Sequence, residues 1–173
     1  MMHLTKLLFF LFTLTVSALA AVTPRAVVPR AEELIQSGRT FTIINAKAGT
    51  VVDLSAGDNT TSTGWTPNNG LNQRWTTLWT GHSWNFQSVI TGSYLGISGT
   101  AANGANLTVS TTPTDWDIWH DTVNVSNYRI YIPNTAQNWD LWDFGNPVAG
   151  DPITLWQATT GVHQTWTFEQ VDK

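Results

Sequence analysis

The sequence contains no cysteine, so no disulfide can hold its fold and its stability must come from buried surface. Charge is scarce too: 12% of residues are Asp, Glu, Lys or Arg, and the formal net charge is −4. Eight basic residues in an acidic chain form no stripe that could neutralise phosphates, which argues against nucleic acid or anionic lipid as partners. From Arg39 onward no stretch keeps a helical apolar period for long. A G-x-S-x-G motif and paired histidines at zinc spacing are both missing, so nucleophilic and metal chemistry lack their parts. Acids do gather at Asp115, Asp117 and Asp121, and at Asp140 and Asp143. Neither group forms a recognisable pair for cleaving a glycosidic bond, and the first reads as a solvated loop. No catalytic residue, cofactor or metal is expected.

Aromatic rings are plentiful instead. Ten Trp stand against two Met, in a chain rich in Thr, Asn and Gly; this is a β-forming composition with more flat rings than a core requires. At 173 residues the chain accommodates one domain with a sizeable core. Residues 1–20 read as a secretory signal peptide, with Lys6 as the basic flank, an apolar stretch from Leu7 to Leu19, and Ala18-Leu19-Ala20 as the cleavage site. That stretch is short for a membrane span and is interrupted by Thr13, Thr15 and Ser17. Secretion is therefore expected, with N-glycosylation candidates in the sequons at Asn59, Asn106 and Asn124. Residues 21–38, with Pro24 and Pro29, read as an extended leader outside the core domain, which is expected over residues 39–171.

The organisation of that domain shows in its self-similarity. Phe41-Thr-Ile43, Trp84-Asn-Phe86 and Tyr128-Arg-Ile130 share one spacing, and successive copies start 43 and 44 positions apart. Twelve residues after each leading ring stands Asp53, Gly96 or Asp140, followed by Leu54, Ile97 or Leu141. Gly49, Gly92 and Ala136 mark the turn between, where a small side chain eases a tight backbone. Each repeat closes on a tryptophan: Gln73-Arg74-Trp75, Thr114-Asp115-Trp116 and Gln164-Thr165-Trp166. In the second repeat Trp119 offers a competing register, but Trp116 puts Ile118 where Phe168 falls in the third. Large rings at these three positions are most economically core residues.

A Q-x-W motif closing each of three repeats, degenerate in the second, resembles the ricin-B lectin family, with secreted fungal members the best match in detail. The resemblance covers roughly Arg39 to Val171 and implies an all-β, β-trefoil fold of three repeats with pseudo-threefold symmetry. Sugar recognition needs a carboxylate to accept hydrogen bonds from neighbouring hydroxyls and a ring to cover the apolar face of the pyranose. By similarity to the family, Asp53 and Asp140 would accept sugar hydroxyls, Trp65 and Trp156 would stack, and Asn72 and His163 would add hydrogen bonds. Gln73 and Gln164 would brace each pocket from behind. Other readings stand beside these: the two acids could cap turns, Trp65 could fill a cluster under a loop, and a lone histidine is more often a structural hydrogen-bonder.

Repeat two has Gly96 in place of the acid and Val109 in place of the ring, so its pocket is expected to be dead. Repeat three is expected to be the stronger site, because a glycan on Asn59 could cover the pocket of repeat one. The expected partners are glycans or glycoproteins with terminal galactose or N-acetylgalactosamine. Agglutination of cells would need two working pockets or a homodimer. The rival reading is a β-trefoil protease inhibitor acting through exposed loops, since fold does not fix function. The two readings part on whether Asp140 and Trp156 face one shallow pocket or point apart.

Overall fold

A computed structural model of the protein describes residues 33–171; the expected signal segment and residues 21–32 of the expected leader lie outside them. Twelve strands run in order: β1 (Thr40–Asn45), β2 (Val51–Leu54), β3 (Ser62–Trp65), β4 (Trp75–Trp79), β5 (Trp84–Ser88), β6 (Tyr94–Ile97), β7 (Leu107–Ser110), β8 (Asp117–His120), β9 (Tyr128–Tyr131), β10 (Gln137–Leu141), β11 (Asp151–Gln157) and β12 (Trp166–Gln170). Two 3-10 turns, Leu71–Gln73 and Val162–Gln164, precede β4 and β12, and a tight turn with left-handed backbone, Trp142–Gly145, follows β10. No helix among the described residues is long and apolar enough to cross a membrane.

The strands close a barrel. β1 pairs with β12 and β4, β4 with β5, β8 with β9, and β9 with β12, while a bridge between Trp84 and Trp116 joins β5 to the strand entered at Trp116. The remaining strands form three hairpins, β2–β3, β6–β7 and β10–β11, tied together by β3–β11 pairing and by bridges Thr61–Thr108 and Asn106–Thr154. This is the all-β trefoil that the three repeats predict.

Period-two alternation explains the core. Phe41, Ile43, Phe86, Ile130 and Phe168 point inward from barrel strands, and Val52, Leu54, Leu95, Trp139 and Leu141 do so from the hairpins. Trp75, Trp116 and Trp166 are fully buried, and their indole nitrogens donate to the carbonyls of Val52, Leu95 and Trp139 at 2.9, 3.0 and 3.4 Å. Those acceptors occupy equivalent positions in the three repeats, so each tryptophan locks its hairpin to its barrel strand. Trp116 is therefore the closing residue of repeat two, and Trp119 is 62% exposed.

Two expectations need correction. Residues 33–38 are not outside the domain: Ile35 is buried in the core, and Glu33 accepts a hydrogen bond from the Tyr128 hydroxyl at 2.8 Å. The domain boundary thus lies before Arg39. Gly49, Gly92 and Ala136 all lie in the equivalent turns as expected; the two glycines adopt left-handed backbone at φ 72°, whereas in repeat three the left-handed residue is Asn134 (φ 60°). In repeat two the position equivalent to Trp65 and Trp156 is Ser110 rather than Val109, because Gly96 opposes Thr108 as Asp53 opposes Thr63 and Asp140 opposes Thr154. Val109 lies one residue out of phase and is buried in the core.

Candidate functional site

Strand register brings the expected acid and ring onto one face twice. Asp53 opposes Thr63 across β2–β3, and Trp65 follows two residues later on the same side. Asp140 opposes Thr154 across β10–β11, with Trp156 again two residues on. Both rings are large exposed side chains, Trp65 at 42% and Trp156 at 36%, while both aspartates are buried to within a few per cent. Neither tryptophan fills a core cluster. Each acid lines the same cleft as its ring, so Asp140 and Trp156 face one pocket and do not point apart.

The carboxylates are held by the segments just before the closing tryptophans. In repeat one, Gln73 Nε2 donates to Asp53 Oδ2 at 2.8 Å and to the Thr66 carbonyl at 3.0 Å, while its own Oε1 accepts from the Asn68 amide at 2.9 Å. Asn72 Nδ2 donates to the same Asp53 Oδ2 at 3.0 Å and to the Leu54 carbonyl at 3.1 Å. In repeat three, Gln164 Nε2 donates to Asp140 Oδ2 at 2.7 Å and to the Gln157 carbonyl at 3.2 Å, and its Oε1 accepts from the Thr159 amide and hydroxyl. His163 Nε2 stands 3.3 Å from Asp140 Oδ2, in the place that Asn72 takes in repeat one. The Q-x-W glutamines brace the acids as expected. Asn72 shares that task through its side-chain amide, while His163 stands within ion-pair distance of Asp140; both also line their clefts.

Two glycines make room for this arrangement. Gly70 and Gly161 open the two 3-10 turns, and a Cβ on either would lie 2.4 Å from Asn72 Oδ1 or 2.2 Å from His163 Cε1. Their backbone angles are ordinary for any residue; what they supply is contact space.

Burial raises the pKa of both Asp53 and Asp140, partly offset by the hydrogen bonds each accepts. It also lowers that of His163, against the opposite pull of Asp140. In each acid Oδ2 receives these hydrogen bonds, and among the described residues no hydrogen bond reaches Oδ1. A braced carboxylate with one oxygen unengaged beside an exposed ring can accept ligand hydroxyls.

The two clefts differ in their walls. That of repeat one, about 480 Å³, has a polar rim from Ser55, Asp58, Thr61 and Asn68, and Trp65 lies over Gly150, whose Cβ would be 3.4 Å from the indole. That of repeat three, about 250 Å³, is walled by Trp142, Phe144 and Trp156 with His163 and Thr159. Trp142 meets Trp156 edge-on at 5.8 Å, and Phe144 meets His163 in the same way at 5.7 Å. Asp143, Phe144 and Gly145 all adopt left-handed backbone, strained for the first two, and Lys47 Nζ donates to the Phe144 carbonyl across the turn. Trp142, Phe144 and Thr159 were not anticipated from the sequence. The available signal was length, since Trp156 follows Asp140 by sixteen residues where Trp65 follows Asp53 by twelve.

Repeat two has no such site. Gly96 replaces the acid, Ser110 the ring and Thr114 the bracing glutamine, and a Cβ on Gly96 would fall 2.4 Å from Thr114 Oγ1. Among the described residues no group of three or more His, Cys, Asp or Glu could hold a metal.

A sequence profile described as "Ricin-type beta-trefoil lectin domain-like" matches residues 33–110 and 72–156, two overlapping stretches as expected of an internally repeated chain. Among solved structures, the Macrolepiota procera ricin B-like lectin in complex with lactose is 44% identical, with a TM-score of 0.79, over 80% of this chain and all of that one. The Rhizoctonia solani agglutinin is 27% identical, with a TM-score of 0.72, over 79% of this chain and 97% of that one. A designed threefold-symmetric protein shares the fold at 14% identity and a TM-score of 0.68, over 75% of this chain and 96% of that one. No curated protein sequence matches the chain.

Proposed function

The chain belongs to the ricin-type β-trefoil lectin domain-like family, and from that premise we propose that it is a secreted, non-enzymatic lectin for terminal sugars of the galactose or N-acetylgalactosamine type. The observation that carries the reading is the paired geometry of Asp53 with Trp65 and Asp140 with Trp156. Each acid is braced at Oδ2 by a glutamine, keeps Oδ1 without a protein donor, and shares a cleft with an exposed indole. The carboxylate accepts two neighbouring hydroxyls, and the ring covers the C–H face that those contacts leave bare. The lactose carried by the Macrolepiota procera relative supports a galactose-type sugar.

Repeat three leads and repeat one assists. The aromatic wall of the Asp140 cleft excludes water from one side of a bound ring, which strengthens its polar contacts. Asn59 is exposed on the loop whose residues Ser55 to Asp58 rim the cleft of repeat one, so a glycan there would crowd it. Asn106 and Asn124 are exposed as well, in keeping with export and glycosylation. With both clefts working, one chain gains avidity for clustered glycans without further contacts.

The test is a glycan array probed with mature protein made with and without N-glycosylation. Selective retention on galactose-type termini is expected, with a gain when glycans are removed. An array that shows no selective binding sinks the proposal.

A further inference from the structure

A third cleft lies on the barrel wall, outside the hairpin pockets. Trp119 on β8 opposes Arg129 on β9, and Asp117 opposes Tyr131. These four share the outer face, since the intervening Ile118 and Ile130 pack against or within the core. The Trp119 ring is 62% exposed on a regular strand, where a large indole contributes nothing to the barrel's interior. Beside it a cleft of about 270 Å³ is lined by Trp119, Tyr131, Arg129, Thr159 and Thr160.

Its floor is built rather than incidental. Arg129 is buried, its Nε donates to Asp121 Oδ1 at 2.6 Å, and Asp121 Oδ2 takes the amides of Val123 and Asn124. The same guanidinium reaches toward Gln164 Oε1 and the Gly161 carbonyl, each at 3.4 Å. One buried cation therefore supports both this cleft and the glutamine that braces Asp140.

The cleft also continues the site of repeat three. Thr159 lines both. Tyr131 opposes Asn138, and Asn138 opposes Trp156, so Tyr131 and Trp156 stand on one face two strands apart, and Trp119 lies one strand beyond Tyr131. At one strand spacing per step Trp119 stands about 15 Å from Trp156, which a chain of three or four linked sugars spans.

We propose that the Trp119 cleft is an extension subsite that receives the inner sugars of a glycan whose terminal residue sits at Asp140. The inference rests on the lectin reading of repeat three. Stacking on Trp119 adds a ring contact with little sequence of its own to read, and the hydroxyls of Thr159, Thr160 and Tyr131 give polar contacts along the path. The lectin thereby favours a longer chain over a single terminal sugar.

The test uses the full protein with Asp53→Asn, which silences repeat one, titrated calorimetrically with galactose and with a linear tetrasaccharide ending in galactose. The tetrasaccharide should bind about fivefold more tightly than galactose. Adding Trp119→Ala should remove that gain and leave galactose affinity unchanged, while Trp119→Phe restores part of it. Equal affinity for both sugars before the Trp119 substitution, or a gain that survives it, overturns the extension subsite and leaves the lectin reading intact. Loss of all galactose binding on Asp53→Asn alone removes the repeat-three site itself, and the extension with it.

Discussion

Gln164 donates its amide hydrogen to Asp140 Oδ2 at 2.7 Å, and Gln73 does the same to Asp53 Oδ2 at 2.8 Å in the equivalent place. The two bonds fix which oxygen of each acid is held by the protein and which is left for a ligand. They also connect recognition to the core, because each glutamine stands two residues before a buried tryptophan that locks the hairpin to the barrel.

Replacing the acid by its amide tests that division. Asp140→Asn keeps the shape and leaves Gln164 an acceptor, but it removes the charge that strengthens hydrogen bonds to sugar hydroxyls. Such bonds contribute about 1.5–3 kcal/mol, so affinity at repeat three should fall about 10- to 100-fold. The melting temperature should change by only a few degrees. Calorimetric titration alongside thermal unfolding checks both, and unaltered affinity would mean that Asp140 does not touch the ligand.

Tryptophans on the two faces of the same sheet should behave in opposite ways. Trp156 is partly exposed in the cleft, so Trp156→Ala should weaken binding with little loss of stability. Trp166 is fully buried and donates to the Trp139 carbonyl, so Trp166→Ala should lower stability by about 3–5 kcal/mol. Chemical denaturation of both variants separates the roles; equal destabilisation would contradict the placement of Trp156.

Repeat two can be tested by attempted repair. A Cβ at position 96 meets Thr114 Oγ1 at 2.4 Å, so Gly96→Asp alone overpacks the site and should cost about 1–3 kcal/mol. It also lacks a bracing glutamine and a ring. Binding stoichiometry should stay unchanged in Gly96→Asp, and a third site should require Thr114→Gln and Ser110→Trp as well. A rise in stoichiometry from the single change would show that the brace is dispensable.

Much of this architecture was legible because repetition multiplies weak signals. The Phe41, Trp84 and Tyr128 register and the three closing tryptophans each recur, and the barrel confirms them. What the sequence concealed is what does not repeat. Ile35 enters the core from an irregular segment with no period to mark it. Val109 and Ser110 are adjacent and neither is aromatic, so only strand pairing shows which faces the cleft. The Trp142–Gly145 turn depends on left-handed backbone at Asp143 and Phe144; Asp tolerates that region, but Phe gives no general warning of it. The direction of the Asn72 and His163 donors likewise depends on turn geometry rather than on spacing.

Asp151 provides a pH test. It begins β11, and its Oδ2 is buried with no hydrogen-bond partner among the described residues. Burial is the main cause that raises its pKa to about 6, and the carboxylates of Asp143 and Asp140 add to it. A folded-state pKa above the ordinary value means that the native protein binds this proton more tightly than the unfolded chain does. The resulting stabilisation is complete below about pH 4 and is lost as pH rises through about 6. Asp151→Asn removes the ionising group, so its stability should match the wild type in acid and exceed it by about 1–2 kcal/mol at pH 7–8. Denaturant unfolding of both proteins from pH 4 to pH 8 measures the difference. Parallel curves across that range would mean that Asp151 is solvated and titrates as a free carboxyl. A divergence that grows between about pH 4 and pH 6 and then levels off would confirm an uncompensated negative charge at Asp151, felt by Asp140 and Asp143.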